Sequence, residues 1–261
     1  MSNALIVKPL ALGTVTAEGS GAGTLPAYLG NDFVGVVHRG TNGAAGWVQL
    51  DLASAQSLDF AAFLSTNLAP GATQRVRAAT TAAGLTGVPG YDSGVINPAI
   101  AGSSIPTSGR SNSWWRDAAQ SFRYWRFDLA SLGGAAFEAG RLVVGQSIQL
   151  DRNFSFGAVR GVRDTSKLEW SALGVMLRRR GRKLRTLSIS FENAYRDEVE
   201  QKILPLLEVA GASEPLLIVL DPDAHAERQN RMYFGPIVGD LGVIQRTASG
   251  YRWQAELVSL I

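Results

Sequence analysis

The sequence contains no cysteine and only two histidines, and no apolar run approaches the roughly 20 residues a membrane-crossing helix requires. The first absence excludes disulfides and thiolate chemistry, and it leaves the compartment unreadable from cysteine usage. Neither His38 nor His225 lies in a nucleophile motif, and the chain has no Gly-x-Ser-x-Gly. Gly19-Ser-Gly-Ala-Gly23 is glycine-rich but lacks the Gly-Lys-Ser/Thr ending and the following helix of a phosphate-binding loop, so it reads as a plain loop. Nothing singles out a carboxylate pair. These absences predict a protein that is not an enzyme, with no catalytic residues, no cofactor and no bound metal. The stretch Met1–Pro9 has too short an apolar core for a secretory leader and no basic start, which predicts a soluble chain made in the cytoplasm.

Charge is also scarce. Charged residues make up 18% of the chain, below the usual quarter or so. Glycine, by contrast, is abundant at 29 residues, and 46% of the chain is hydrophobic. That combination suits many tight turns between short strands, and surfaces that partners cover. The net charge of +3 is too small to argue for nucleic acid, but its distribution is uneven. Between Arg152 and Arg185 ten basic residues stand against Asp164 and Glu169, a net of +8. Between Glu192 and Asp240 ten acidic residues stand against Arg196, Lys202, Arg228 and Arg231, a net of −6. Such asymmetry serves either an outside partner or two complementary faces that meet between copies of one chain.

Length predicts two domains at roughly 100–200 residues each. In Trp47–Leu52 the apolar positions Val48, Leu50 and Leu52 alternate with Gln49 and Asp51, and Leu58, Phe60, Ala62 and Leu64 continue the alternation. Period-two patterning in short segments predicts half-buried antiparallel strands there and at 74–79, 91–96, 124–129 and 141–144. In Trp125-Arg-Phe-Asp-Leu129 the odd positions are expected to face a core. No amphipathic helix pattern precedes residue 190. The second part shows strand patterns over 154–163, 167–177, 185–191, 215–220, 231–238 and 251–260. One helix is predicted over about 194–210, capped by Asn193, with Asp197 and Glu198 in its first turns, Gly211 at its end, and Pro205 kinking or splitting it. Gly181, set among Arg178, Arg179, Arg180, Arg182 and Lys183, is expected at a hairpin tip. The predicted fold class is mainly β, with domains over 1–147 and 148–261.

Several fragments of the first part resemble the discoidin-like, galactose-binding-like jelly roll. They are Trp47–Leu52, Ser65-Thr-Asn-Leu68 before the Arg75-Val-Arg77 strand, Tyr91-Asp-Ser-Gly94, Arg123-Tyr-Trp-Arg126 and Glu138–Gly145. The second part resembles the distal tail protein of long-tailed phages and related tailed particles. The residues that carry this are Asn153-Phe-Ser-Phe-Gly157, Gly161-Val-Arg-Asp164, the strand-to-helix join over Ser188–Asp197, Leu220-Asp-Pro-Asp223 and Tyr233-Phe-Gly-Pro236. That resemblance implies a tail-tube-like β-sandwich with one flanking helix, following the jelly roll. It also implies a structural subunit of a tail tip or baseplate: a homo-oligomeric ring, hexameric or trimeric, joining the tail tube to the hub. Its expected place is the virion, after assembly in the host cytoplasm, with tail tube, hub and tape-measure-type proteins as partners and DNA only passing through the lumen. The family usually places its ring domain first, and here the order is reversed.

Three groups of residues are candidate sites. Arg178, Arg179, Arg180, Arg182 and Lys183 are candidates for contact between subunits, against a solvated hairpin tip or direct contact with DNA. Trp114 and Trp115, in a polar stretch between strand patterns, are candidates for a ligand or partner contact, a glycan included, against packing beneath a loop. Asp221, Asp223, His225 and Glu227 alternate as metal ligands could, against a polar loop. The rival functions are a carbohydrate-binding adhesion module for host-surface glycans and a hydrolase with a sugar-binding accessory domain.

Overall fold

The computed structural model describes residues 2–98, 100, 102–106, 108–239 and 241–261. The chain is mainly β, with 49% of it in strands and one helical segment of 15 residues. Among the described residues no helix is long and apolar enough to cross a membrane. The chain divides into two compact units, 1–148 with 219–232, and 149–218 with 233–261.

The first unit is built on an antiparallel sheet. Its strands are β1 (Thr14–Ala17), β2 (Ala45–Thr66), β3 (Thr73–Ala79), β4 (Tyr91–Ile96), β5 (Ser111–Ala130) and β6 (Arg141–Gly145). They run in the order β1-β2-β5-β3-β4, with β6 also on β2. Alternation decides which side is buried. Val48, Leu50, Val76, Ala78, Trp125, Phe127 and Leu129 form one core face. On the other face the guanidinium of Arg123 meets Asp51 at 2.6 Å, and Arg126 and Arg77 share Asp128 at 2.8 and 2.6 Å. The 22 residues of β2 do not run straight. Its register against β5 shifts between Asp51 and Gln56, where Ala53 takes a left-handed φ of 64°. Beyond that bend Phe60–Leu64 are buried on both parities, and β5 and β6 pair with the strand's two edges.

The first unit also contains residues 219–232, which the sequence pattern joins to the second part. Here the contacts are specific and long-range. Gln229 is fully buried, accepts the Asn112 N–H and donates to the Asn112 carbonyl, both at 2.7 Å, like a third strand's backbone. Ser2 donates its N–H to Asp223 at 2.8 Å, and the Ser104 N–H reaches the Ala226 carbonyl at 2.7 Å.

His38 is buried at 1% exposure in the two-residue strand His38–Arg39, which pairs with Glu138–Ala139. Burial pushes its imidazole below the ordinary value, only partly offset by a hydrogen bond to the Leu25 backbone. The ring is therefore held neutral in the fold. As pH falls below about 6.5 the unfolded chain takes up a proton that the folded chain resists, so stability is lost with acidification. Thermal melts between pH 7 and 5 are expected to show this loss in the wild type and not in His38→Gln; equal slopes for both would exclude His38 as the source.

In the second unit the strands are β7 (Val159–Asp164), β8 (Lys167–Trp170), β9 (Met176–Arg179), β10 (Lys183–Tyr195), β11 (Pro215–Val219), β12 (Met232–Val238), β13 (Val243–Gln245) and β14 (Gly250–Val258). Among these strands the order in the sheet is β11-β12-β14-β10-β7, with β13 also on β14. Leu187, Ile189, Phe191, Trp253, Ala255 and Leu257 are buried, and the Phe191 and Trp253 rings stack at 5.2 Å. The opposite parity, with Ser188, Ser190, Arg252, Gln254 and Glu256, is polar and at least partly exposed. Pro215–Val219 is buried throughout, as its unbroken apolar run predicts.

The helix is where sequence and structure differ in detail. It comprises α1 (Arg196–Glu198), a π-helical turn over Val199–Ile203 and α2 (Leu204–Ala210). The widened turn lies immediately before Pro205, which has no N–H for an i−4 bond, so the interruption expected from proline is absorbed as a π-bulge. Asn193 does not cap the helix. It lies within β10, and Tyr195 occupies the N-cap without a side-chain bond. Gly211, at φ 53°, ends the helix as predicted.

Candidate assembly surface

Beyond the last pair that ties β10 to β14, Thr186 with Val258, the strands β7 and β10 continue together as a two-stranded ribbon. They pair through Asp164 and Lys183, and β8 and β9 then pair from Lys167 with Arg179 to Trp170 with Met176. Nine residues on one strand (162–170) and ten on the bulged one (176–185), at about 3.3 Å per residue, give an arm of about 30 Å. Where the sequence pattern reads one strand over 167–177, the structure has the arm's turn. The Ser171 N–H bonds to the Val175 carbonyl at 2.9 Å, the Ser171 hydroxyl accepts the Val175 N–H at 3.1 Å, and Gly174 supplies φ 74°.

Gly181 is therefore not the tip. It lies in a bulge in which Arg180, Gly181 and Arg182 oppose only Thr165 and Ser166. A Cβ at Gly181 would stand 2.4 Å from the Thr165 carbonyl carbon, so the close approach of two backbones requires glycine. Around it the Thr165 N–H and hydroxyl both donate to the Arg182 carbonyl, at 3.0 and 2.8 Å. Gly181→Val is expected to unpair the arm beyond Thr165 while the rest of the unit stays folded. Trypsin should then cut between Arg178 and Lys183 on the order of tenfold faster, since local opening governs cleavage there. An unchanged cutting rate would show that the bulge does not need glycine.

The five candidate contact residues, Arg178, Arg179, Arg180, Arg182 and Lys183, are all exposed on this arm. Among the described residues none of the four arginines makes an ion pair. Lys183 stands opposite Asp164, whose carboxyl is held below the usual range by hydrogen bonds from Ser166 and then by the Lys183 charge. The apolar residues of the arm are equally exposed, from Met176 at 45% to Leu173 at 90%. Directly opposed residues share a face, so Leu168, Trp170, Met176 and Arg178 line one side of the ribbon, and Lys167, Glu169, Leu177 and Arg179 the other. A ribbon of two strands with no third strand and no buried side chain is marginal in water by itself. Exposed Trp, Leu and Met side by side mark a surface meant to be covered.

The other candidates are placed differently. Trp114 and Trp115 are not in a loop but inside β5, and they are 7% and 2% exposed. Phe60 packs beside Trp114 and the Arg228 guanidinium lies 5.1 Å from its ring centre, while Trp115 donates its indole N–H to the Tyr91 hydroxyl at 3.1 Å. Neither ring presents a face to a ligand. The neighbours that make the stretch look polar, Ser111, Asn112 and Ser113, are themselves buried.

The alternating Asp221, Asp223 and His225 do not converge. Asp221 is ion-paired with Arg231, Asp223 accepts from Ser2, and His225 accepts the Glu227 N–H at 2.9 Å. Among the described residues no group of three or more His, Cys, Asp or Glu side chains is placed to hold a metal ion. A cleft of about 500 Å³ lies on the second unit, with Val238, Ile244, Arg252, Gln254 and Glu256 in its wall. Glu256 is the one acid among its described lining residues.

No protein-family model matches the chain, and no curated protein does. Solved structures similar over about half of it are β-rich modules. One is the chitosan-binding module 1 of a chitosanase/glucanase from Paenibacillus sp. IK-5, at 14% identity, with a TM-score of 0.40, covering 53% of this chain and 98% of that one. Another is the lectin domain of lectinolysin in complex with Lewis B antigen, at 13% identity and TM-score 0.38, covering 52% and 94%. A third is a Streptococcus pneumoniae fucose-binding module, at 11% identity and TM-score 0.39, covering 52% and 95%. The sugars in these names belong to those proteins.

Proposed function

We propose that the chain is a structural subunit that assembles with copies of itself, the second unit being the assembling part. The observation that carries this reading is the arm. About 30 Å of paired backbone, rich in exposed apolar and cationic side chains, has no covering surface within its own unit. Such a feature is stable and soluble in its working state only when something packs on it. The ring form and the place at a phage-type tail tip, between tail tube and hub, rest on the sequence resemblance of the second part to distal tail proteins. The solved structures named above are carbohydrate-binding proteins and do not bear on that assignment.

The test is the mass of the purified chain in solution. A closed ring predicts one species at a whole multiple of 27.8 kDa, persisting on dilution. A monomer at every concentration would remove the reading.

A second reading is glycan binding by the first unit, and one feature of this chain favours it. With Trp114 and Trp115 buried, the half-buried aromatics of the outward sheet face remain, Trp47 and Tyr124, beside Gln49, Arg126 and Asp128. A flat aromatic ring flanked by hydrogen-bonding groups is the chemistry that sugars require. Against it, the Arg126 guanidinium already lies 4.2 Å from the centre of the Trp47 ring. A glycan array distinguishes the readings: sugar binding lost on Trp47→Ala would establish the second, and no bound glycan would leave the first.

A further inference from the structure

The cations of the arm need a counter-surface, and the second unit contains one. Three acids of this unit are neutralised where they stand. Glu192 is held by Arg246 and Arg252, Glu198 by Lys202 and Glu200 by Arg196. Asp197 and Glu208, on the helical segment, and Glu214 just after it are exposed and make no ion pair among the described residues. Val209, beside Glu208, is 62% exposed. The outward side of the helix thus carries Asp197, Glu200 and Glu208 against Arg196 and Lys202, a small acidic excess, with an uncovered apolar residue in it.

We propose that the arm of one copy lies across this outward helix face of a second copy, an assignment that rests on the self-assembly reading above. Charge fits, and the lengths are comparable. The cationic run ends at Arg178, opposite Leu168, and at Lys183, opposite Asp164, so it spans four steps of the partner strand, about 13 Å at 3.3 Å each, the bulge taking up the extra residue. From Asp197 to Glu208 is eleven helical steps, about 17 Å at 1.5 Å each. The ribbon face that bears Arg178 also bears Leu168, Trp170 and Met176, so apolar burial against Val209 and charge pairing by Arg178 occur on one face, while Arg179 lies on the other. Because the arm and the helix are different surfaces, the contact is heterologous, and repeated by rotation it closes a ring.

A charge exchange tests the pairing, read by sedimentation at physiological salt with circular dichroism as the check on folding. Arg178→Glu, Arg179→Glu and Arg180→Glu together should weaken self-association at least tenfold. So should Asp197→Lys, Glu208→Lys and Glu214→Lys together, and the milder set Asp197→Asn, Glu208→Gln and Glu214→Gln should act in the same direction if the lysine set misfolds. A chain carrying both reversed sets should regain assembly. If the arm set abolishes assembly while both helix sets assemble like wild type, the arm docks elsewhere and only this inference fails. A folded doubly reversed chain that stays as weak as the single sets also overturns it. A wild-type chain that never self-associates overturns the self-assembly reading itself.

Discussion

A chain carrying Leu168→Asp and Trp170→Asp is expected to purify as a folded monomer. Both side chains are exposed on the arm, at 65% and 72%, so neither supports its own unit and the melting temperature should change little. In the assembled state they are the apolar part of the contact. Covering each contributes about 1.5–3 kcal/mol. Losing two, about 3–6 kcal/mol, lowers self-association by roughly two to four orders of magnitude at about 1.4 kcal/mol per decade. The charges beside them are worth less, about 0.2–1 kcal/mol for each exposed pair, and set register more than affinity. Sedimentation velocity and a thermal melt on the same sample decide the matter. Persistence of the wild-type oligomer would show that the arm's apolar face lies outside the contact.

The second large effect is in the first unit. Trp125→Ala should destabilise it by about 3–5 kcal/mol, the usual range for emptying a large aromatic from a packed core. Trp125 is completely buried and donates its indole N–H to the Phe122 carbonyl at 3.1 Å. Its ring lies 5.7 Å from that of Trp115, 6.3 Å from Phe122 and 6.4 Å from Tyr91. The cluster extends to a polar end, where the Tyr91 hydroxyl donates to Asp117 at 2.5 Å. Burial and that carboxylate push the Tyr91 phenol well above its ordinary value, so it remains a donor throughout the accessible pH range. With typical stabilities of about 5–15 kcal/mol, the alanine variant should be partly unfolded at modest denaturant. Trp125→Phe, which keeps most of the volume, should lose much less. Denaturant titration followed by circular dichroism measures both, and an alanine variant within about 1 kcal/mol of wild type would contradict the packing described.

Strand patterns in this chain were legible because a strand's two faces are two parities of sequence. Trp125, Phe127 and Leu129 are buried and Arg126 and Asp128 are not, as the alternation alone requires. The apolar run at 215–219 and the glycine after the helix were legible for the same reason, each being a local rule of burial or backbone geometry. The exposed cations of the arm were legible as charge. The solvent-facing apolar residues among them were not, since an alternating strand pattern does not say whether anything covers it.

What only the tertiary structure decided depends on partners far away in the chain. The polar look of Ser111-Asn-Ser suggested a loop that presents two tryptophans. Instead Ser111 is satisfied by Thr66 and Leu68, and Asn112 by Ser65 and Gln229, so the polar residues are buried and the rings with them. The return of residues 219–232 to the first unit rests on the Asn112–Gln229, Ser2–Asp223 and Ser104–Ala226 bonds, which span more than a hundred residues and leave no local trace. Two glycines could each have made the arm's turn. Gly174 does, because its backbone is left-handed there, and Gly181 is needed for lack of a side chain opposite Thr165. The sequence alone determined a cysteine-free, mainly β chain with one helix and a divided charge. Which surfaces were left uncovered was decided by packing between segments distant in the chain, because burial is a property of neighbours in space.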